Sequence, residues 1–232
     1  MKLSPATMFC LLLIAIGVAF DKGIWQVPRE WNPLAPLAVD DPVTPMTSLK
    51  LKRLQGDRDE CLAALDTAPE VSYTPLDDYT PAAGCPLENV VRLSRTSVTF
   101  NASFVATCPM ALAWTMFERH ELQPLAERTF GQRVTSVQHY GSFACRNIYH
   151  RKNARRSEHA SASALDVAAF RLANGERISL LEDWNGDDDA SRFLQEAQTG
   201  ACHYFGTVLG PDYNAAHANH FHLGMRGMSF CR

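Results

Sequence analysis

The chain has 232 residues, 46% hydrophobic and 20% charged, which is a globular composition with room for one sizeable core plus an N-terminal appendage. A formal net charge of −3 supplies no general electrostatic drive toward a polyanion, so nucleic acid is excluded as an expected partner. No fixed-period repeat is visible.

In chain order, Lys2 precedes an uncharged run from Leu3 to Phe20, most strongly apolar from Met8 onward. A lysine followed by such a run is a signal-peptide pattern, and the run is short beside the about 20 residues of a full membrane span. Gly17-Val18-Ala19 offers a cleavage site, so residues 1–20 are read as a signal peptide or a retained membrane anchor. Residues 21–48 carry Pro28, Pro33, Pro36, Pro42 and Pro45, a density that suits an extended connector. Trp25, Trp31 and the neighbouring leucines add a second reading, packing on the domain or at a membrane interface. The folded domain is placed at 49–232.

Within it, Asp57–Ala68 is predicted helical, with Cys61, Leu62 and Leu65 on one face. Val90–Leu93 and Ser97–Phe100 are predicted strands. Thr107 or Cys108 before Pro109 starts a helix through Met110, Leu112, Trp114 and Phe117, which Pro124 kinks or divides. Val134–Tyr140, Ser163–Phe170 and Arg177–Leu180 are predicted strands. Ala190–Phe205 is an amphipathic helix with Phe193, Leu194, Ala197 and Ala201 inward, and Asn219–Met225 is a last strand. Mixed elements without strict βαβ alternation predict an α+β fold with a mainly antiparallel sheet and flanking helices.

Seven cysteines are present. Cys10 lies in the N-terminal apolar run. Cys61, Cys85, Cys108, Cys145, Cys202 and Cys231 are dispersed, without a Cys-x-x-Cys pair. An even set behind an export signal predicts disulfides in an oxidising compartment, with the pairing open.

The densest chemistry lies near the C-terminus, where His217, His220 and His222 fall within six residues, with His159 and Asp166 upstream. Two or three histidines with one carboxylate and an open position make the ligand set of a catalytic zinc. On one straight strand His159 and Asp166 would face opposite ways, and on one helix they would be roughly 10 Å apart along the axis. Zinc bonds are only about 2 Å long, so a turn is expected between them, with Asp166 on the following strand. His220 and His222 on a strand share a face, and Phe221 points into the core.

These residues carry a resemblance. Ser157-Glu158-His159 through Asp166, with His220-Phe221-His222, resembles the zinc D-Ala-D-Ala peptidase and hedgehog superfamily. The bacterial extensin-like C-terminal domain family is the closer match, echoed by Trp31-Asn32-Pro33, Phe143-Ala144-Cys145-Arg146, Leu209-Gly210-Pro211-Asp212-Tyr213-Asn214 and Cys231-Arg232. The resemblance implies a single hedgehog/DD-peptidase-like domain in which His159, Asp166 and His222 hold Zn²⁺, with a water in the fourth position. It places His220 beside the metal, His217 toward the substrate, Arg146 as a basic group for an oxyanion or a carboxylate, and Ser157 orienting the turn.

The implied substrates are peptidoglycan stem peptides, cut in murein endopeptidase or D,D-carboxypeptidase fashion in the periplasm or cell envelope, with inner-membrane anchoring as one option. Three positions depart from the family pattern: Ala162 for glycine, Asn219 for an acidic residue and Gly224 for an acid. Without a carboxylate at 219, either His217 or His220 serves as base, or the domain is a catalytically inactive, zinc-containing wall-binding module. The basic run of Arg146, Arg151, Lys152, Arg155 and Arg156 reads as a solvated loop apart from Arg146. The acidic run Glu182–Asp189 reads as a turn and helix cap.

Overall fold

A computed structural model describes residues 4–23, 26–227 and 230–232. The helices are α1 (Pro5–Asp21), α2 (Pro45–Arg53), α3 (Arg58–Leu65), α4 (Cys108–Phe117), α5 (Gln123–Phe130), α6 (Leu180–Asp183) and α7 (Asp189–Ala201). The strands are β1 (Ser72–Pro75), β2 (Tyr79–Ala82), β3 (Cys85–Leu87), β4 (Val90–Arg95), β5 (Thr99–Thr107), β6 (Val134–Gly141), β7 (Ala164–Leu172), β8 (Arg177–Ser179), β9 (Thr207–Leu209), β10 (Phe221–Gly224) and β11 (Phe230–Cys231). The principal sheet runs β1-β4-β5-β6-β7-β10-β9-β11, while β2 and β3 form a separate pair. All pairings are antiparallel except β5 with β6 and β9 with β11, so the fold is α+β with a mostly antiparallel sheet.

One edge of β7 is divided between two partners. Its first half, from Ala164 to Val167, pairs with β10, and its second half, from Ala169 to Arg171, pairs with β8. This division leaves the start of β7 beside the C-terminal histidines.

The core lies against α4, all ten of whose residues are buried, as suits a helix apolar on every side. Pro109 sits in its first turn. The expected break near Pro124 takes the form of a π-helical turn, Glu118–Leu122, after which α5 begins with Pro124 in its first turn. Gly131, at φ 63°, closes α5 in the left-handed conformation a helix end calls for. On α7, Phe193, Leu194, Ala197 and Ala201 are buried.

Several predicted bounds move. α7 ends at Ala201 and not Phe205, because Cys202 caps it and the chain turns there toward its disulfide partner Cys231. The strand expected from Ser97 begins at Thr99, since Thr96 donates its N–H to the Val98 carbonyl in a turn (3.0 Å), and it runs on to Thr107. The last strand starts at Phe221, which leaves Asn219 and His220 just outside it.

The proline-rich stretch is docked on the domain. Leu37 and Val39 are buried in the main core, and α2 begins at Pro45, so packed structure starts before Leu49. The fully buried Lys50 donates to the Arg29 carbonyl (2.8 Å), Arg53 to that of Pro33 (3.0 Å) and Thr44 to that of Glu30 (2.7 Å). Trp31 and Leu34 remain exposed. Lys2, Leu3 and Trp25 lie outside the described residues. No helix among the described residues is long and apolar enough to cross a membrane.

All six dispersed cysteines are paired, as Cys61–Cys108, Cys85–Cys145 and Cys202–Cys231, and Cys10 is free and exposed. The bridges tie α3 to the start of α4, β3 to the loop after β6, and the end of α7 to β11.

Candidate metal centre

Asp166 and His222 stand directly opposite each other in the β7–β10 ladder. Opposed residues of an antiparallel pair project to the same face with Cβ atoms about 5 Å apart. The neighbouring pair, Val167 and Phe221, points to the other face, where Phe221 is buried against the Trp184 ring at 5.8 Å between centroids. A one-residue slip would expose Phe221 and bury the polar pair, so the core fixes the register of the site.

His159 arrives from the 3₁₀ turn Glu158–Ser161. The Ser157 hydroxyl accepts the His159 N–H at the start of that turn (3.4 Å), and Ala162 closes it at φ 52°, ψ 31°. A left-handed alanine costs about 1–2 kcal/mol relative to an ordinary conformation. Its methyl is fully buried beside Leu87 and Val90, which offsets part of that cost.

The His159 Nδ1–H donates to the Ser142 carbonyl (3.1 Å), which leaves Nε2 as the bare nitrogen. That Nε2 lies 3.1 Å from Asp166 Oδ1 and 3.1 Å from His222 Nδ1, while His222 Nδ1 lies 3.0 Å from the same Asp166 oxygen. The three atoms form a near-equilateral triangle. A tetrahedral ion with bonds of about 2.0–2.1 Å separates its ligand atoms by about 3.3 Å, so the triangle needs to open by only a few tenths of an ångström. Two imidazoles and one carboxylate also match the chemistry of a zinc ligand set.

The electrostatics favour a cation here. Burial raises the Asp166 pKa, but hydrogen bonds from His159 and His222 outweigh it and hold the carboxyl below the usual carboxylate range. Burial lowers the His222 pKa, but Asp166 and Glu158 outweigh it and bring it to about 9. Glu158 is buried, with Oε2 3.6 Å from His222 Nε2 and Oε1 accepting the Arg226 backbone N–H (2.6 Å). It accounts for Gly224: a Cβ at that position would lie 2.6 Å from both Glu158 oxygens. The space that a side chain at 224 would need is filled by the Glu158 carboxylate.

The triangle lies in a cleft of about 660 Å³ whose walls include Arg146, Tyr149, Arg155, Tyr213, His217 and Arg226. His220 Nε2 is 3.6 Å from Asp166 Oδ1, although His220 precedes β10. The His217 ring is 5.3 Å from that of His220 and 5.9 Å from that of His222, centroid to centroid. Burial lowers the pKa of both; for His217, the neighbouring His220 and His222 push further, to about 4, against the opposing pull of Asp166. Both rings are therefore neutral near pH 7.

Of the basic run, Arg146 and Arg155 line the cleft, Arg151 lies over the Tyr149 ring (5.6 Å), and Arg156 donates to the Ala83 carbonyl (3.2 Å). In the acidic run, Asp188 accepts the Ser191 N–H (2.9 Å) and caps α7, while Asp183 accepts that of Ser179 (2.7 Å).

The structure therefore gathers His159, Asp166, His222, His217, His220, Arg146 and Ser157 around one cleft. Glu158, Tyr149 and Arg226 also line the cleft, and no sequence signal marks any of them singly. Asn214, before Ala-Ala-His, is a readable helix cap.

Residues 59–232 match the family described as extensin-like protein C-terminus, and the chain belongs to that family. No curated protein and no solved structure matches it.

Proposed function

We propose that this protein is an exported zinc peptidase of the hedgehog/DD-peptidase type that hydrolyses peptidoglycan stem peptides. The observation that carries the reading is the triangle of His159 Nε2, Asp166 Oδ1 and His222 Nδ1 at the floor of a cleft with two neutral histidines beside it. Zinc, when bound, supplies Lewis acidity and lowers the pKa of a water.

The chain's own groups do the rest. His217 or His220 takes the proton that the absent carboxylate at 219 cannot take. Arg146 and Arg155 present guanidinium groups to stem-peptide carboxylates or to a developing oxyanion. Glu158 and the Ser142 carbonyl orient the two imidazoles. The spacing of His217, His220 and His222 favours endopeptidase over carboxypeptidase action, by resemblance. The three disulfides support folding in an oxidising compartment, with α1 as signal or anchor.

Asn219 favours a second reading, an inactive zinc-holding module that binds the wall. Digestion of peptidoglycan, with muropeptides separated and zinc measured on the same preparations, tests both. The expected outcome is one zinc per chain and muropeptide release, both abolished by His159→Ala, Asp166→Ala or His222→Ala. Full zinc occupancy without release by wild type, and release gained by Asn219→Asp, would favour the second reading. Full zinc in Asp166→Ala would remove that residue from the ligand set.

A further inference from the structure

Asn214 stands before the short 3₁₀ turn Ala215–His217. Its Oδ1 accepts the backbone N–H of Ala216 at 3.0 Å. A backbone N–H can only donate, so this end of the amide is the oxygen. The same oxygen lies 2.9 Å from His217 Nδ1. An amide oxygen has no hydrogen to give, so Nδ1 carries the proton, and in the neutral ring Nε2 on the far side is bare. The other end of the amide is also engaged, since Nδ2 donates to the Tyr149 hydroxyl at 2.8 Å.

Tyr149, which also lines the cleft, comes from the loop between β6 and the turn bearing His159. Tyr149 and His150 are both left-handed, at φ 52° and 56°. Each such residue costs about 1 kcal/mol or more. The loop is held in this shape by Asn147 Nδ2, which donates to the carbonyls of Arg151 (3.0 Å) and Lys152 (3.1 Å). His220 is placed differently. Its Nδ1 lies 2.8 Å from Asn219 Oδ1, but among the described residues that amide makes no second side-chain hydrogen bond to fix its orientation.

We propose that Asn214 is a positioning residue that locks His217 in the Nδ1–H tautomer, so that its Nε2 is the bare nitrogen able to accept a proton. The kinetic half of its test rests on the peptidase reading, and the tautomer half does not.

The test uses the full chain, labelled with ¹⁵N-histidine, with ring proton–nitrogen correlations recorded at pH 7. His217 should show the Nδ1–H pattern in wild type and in Asn214→Asp, which keeps the acceptor oxygen. It should shift to Nε2–H or to a tautomer mixture in Asn214→Ala. In muropeptide release, Asn214→Ala should lower kcat about 10- to 100-fold with little change in KM, and Asn214→Asp should stay within about threefold of wild type.

An Nε2–H ring in wild type overturns the proposal, as does an unchanged Nδ1–H ring in Asn214→Ala. Should Asn214→Ala fail to fold, the wild-type and Asn214→Asp spectra still decide the tautomer. A wild type that releases no muropeptides but shows the tautomer shift would refute the peptidase reading and leave the role of Asn214 standing.

Discussion

At the scale of single residues, each ligand imidazole has an acceptor behind it, the Ser142 carbonyl for His159 and the Glu158 carboxylate for His222. Glu158 faces the His222 nitrogen that points away from the triangle, in the space that Gly224 leaves open. Partners of this kind are worth roughly 10- to 100-fold in metal affinity. Glu158→Ala should weaken zinc binding by that amount in a chelator competition, with Glu158→Gln intermediate. Equal affinities in all three proteins would show that Glu158 does not support His222. The zinc-free protein should also have a stability maximum near pH 6.5. His222 titrates near 9 in the fold and at 6.5 when unfolded, so the stability it contributes is complete below 6.5 and fades as pH rises through 9. His217 is shifted the other way, to about 4, so stability falls as pH drops from 6.5 toward 4. Urea midpoints of chelator-treated protein across this range should trace both limbs, and His217→Ala should flatten the acidic one. A level profile from pH 6.5 to 9 would contradict the placing of His222 between two carboxylates.

At the scale of elements, the alternation of two faces in β7 and β10 joins the core to the site. Phe221 fills the apolar side of the same ladder that presents His222 and Asp166. Phe221→Ala should destabilise the domain by about 3–5 kcal/mol in urea unfolding. A loss under about 1 kcal/mol would mean that Phe221 does not hold this register. These two strands were legible in the sequence because a histidine pair around a phenylalanine, and an apolar run containing a single aspartate, state their faces openly. The turn between His159 and Asp166 was legible from reach alone. The left-handed Ala162 was foreshadowed by the resemblance, not by propensity. β1 and β2 were missed because they are short, contain proline and are mostly exposed, so no face is marked by hydrophobicity, and β3 because three residues around Pro86 are too few to show an alternation. α2 was missed because the prolines before it read as connector, although Pro45 serves its first turn. The placing of Glu158 behind His222 depends on two segments that meet only in three dimensions, and no local pattern records that meeting.

At the scale of the whole molecule, two of the three bridges interleave along the chain, since Cys85 lies between Cys61 and Cys108 while its partner Cys145 lies beyond both. The Cys85–Cys145 bridge sits next to Arg146 and ties that wall of the cleft to β3. Cys85→Ser combined with Cys145→Ser should cost about 2–4 kcal/mol and loosen that wall. Alkylation of unreduced, denatured protein from its native compartment, read by mass, should label Cys10 alone where residues 1–20 are retained and no cysteine where they have been removed. Six further labels would contradict the oxidised state.

The docked proline-rich strap has a consequence for reach. The strap is fastened from Arg29 onward, so only residues 22–28 separate the end of α1 from a fixed point on the domain. Seven residues stretch to about 25 Å at most. Where α1 stays lodged in a lipid bilayer, that leash sets a radius of action. The cleft then works in a shell beside the membrane whose depth is this short tether plus the breadth of the domain itself.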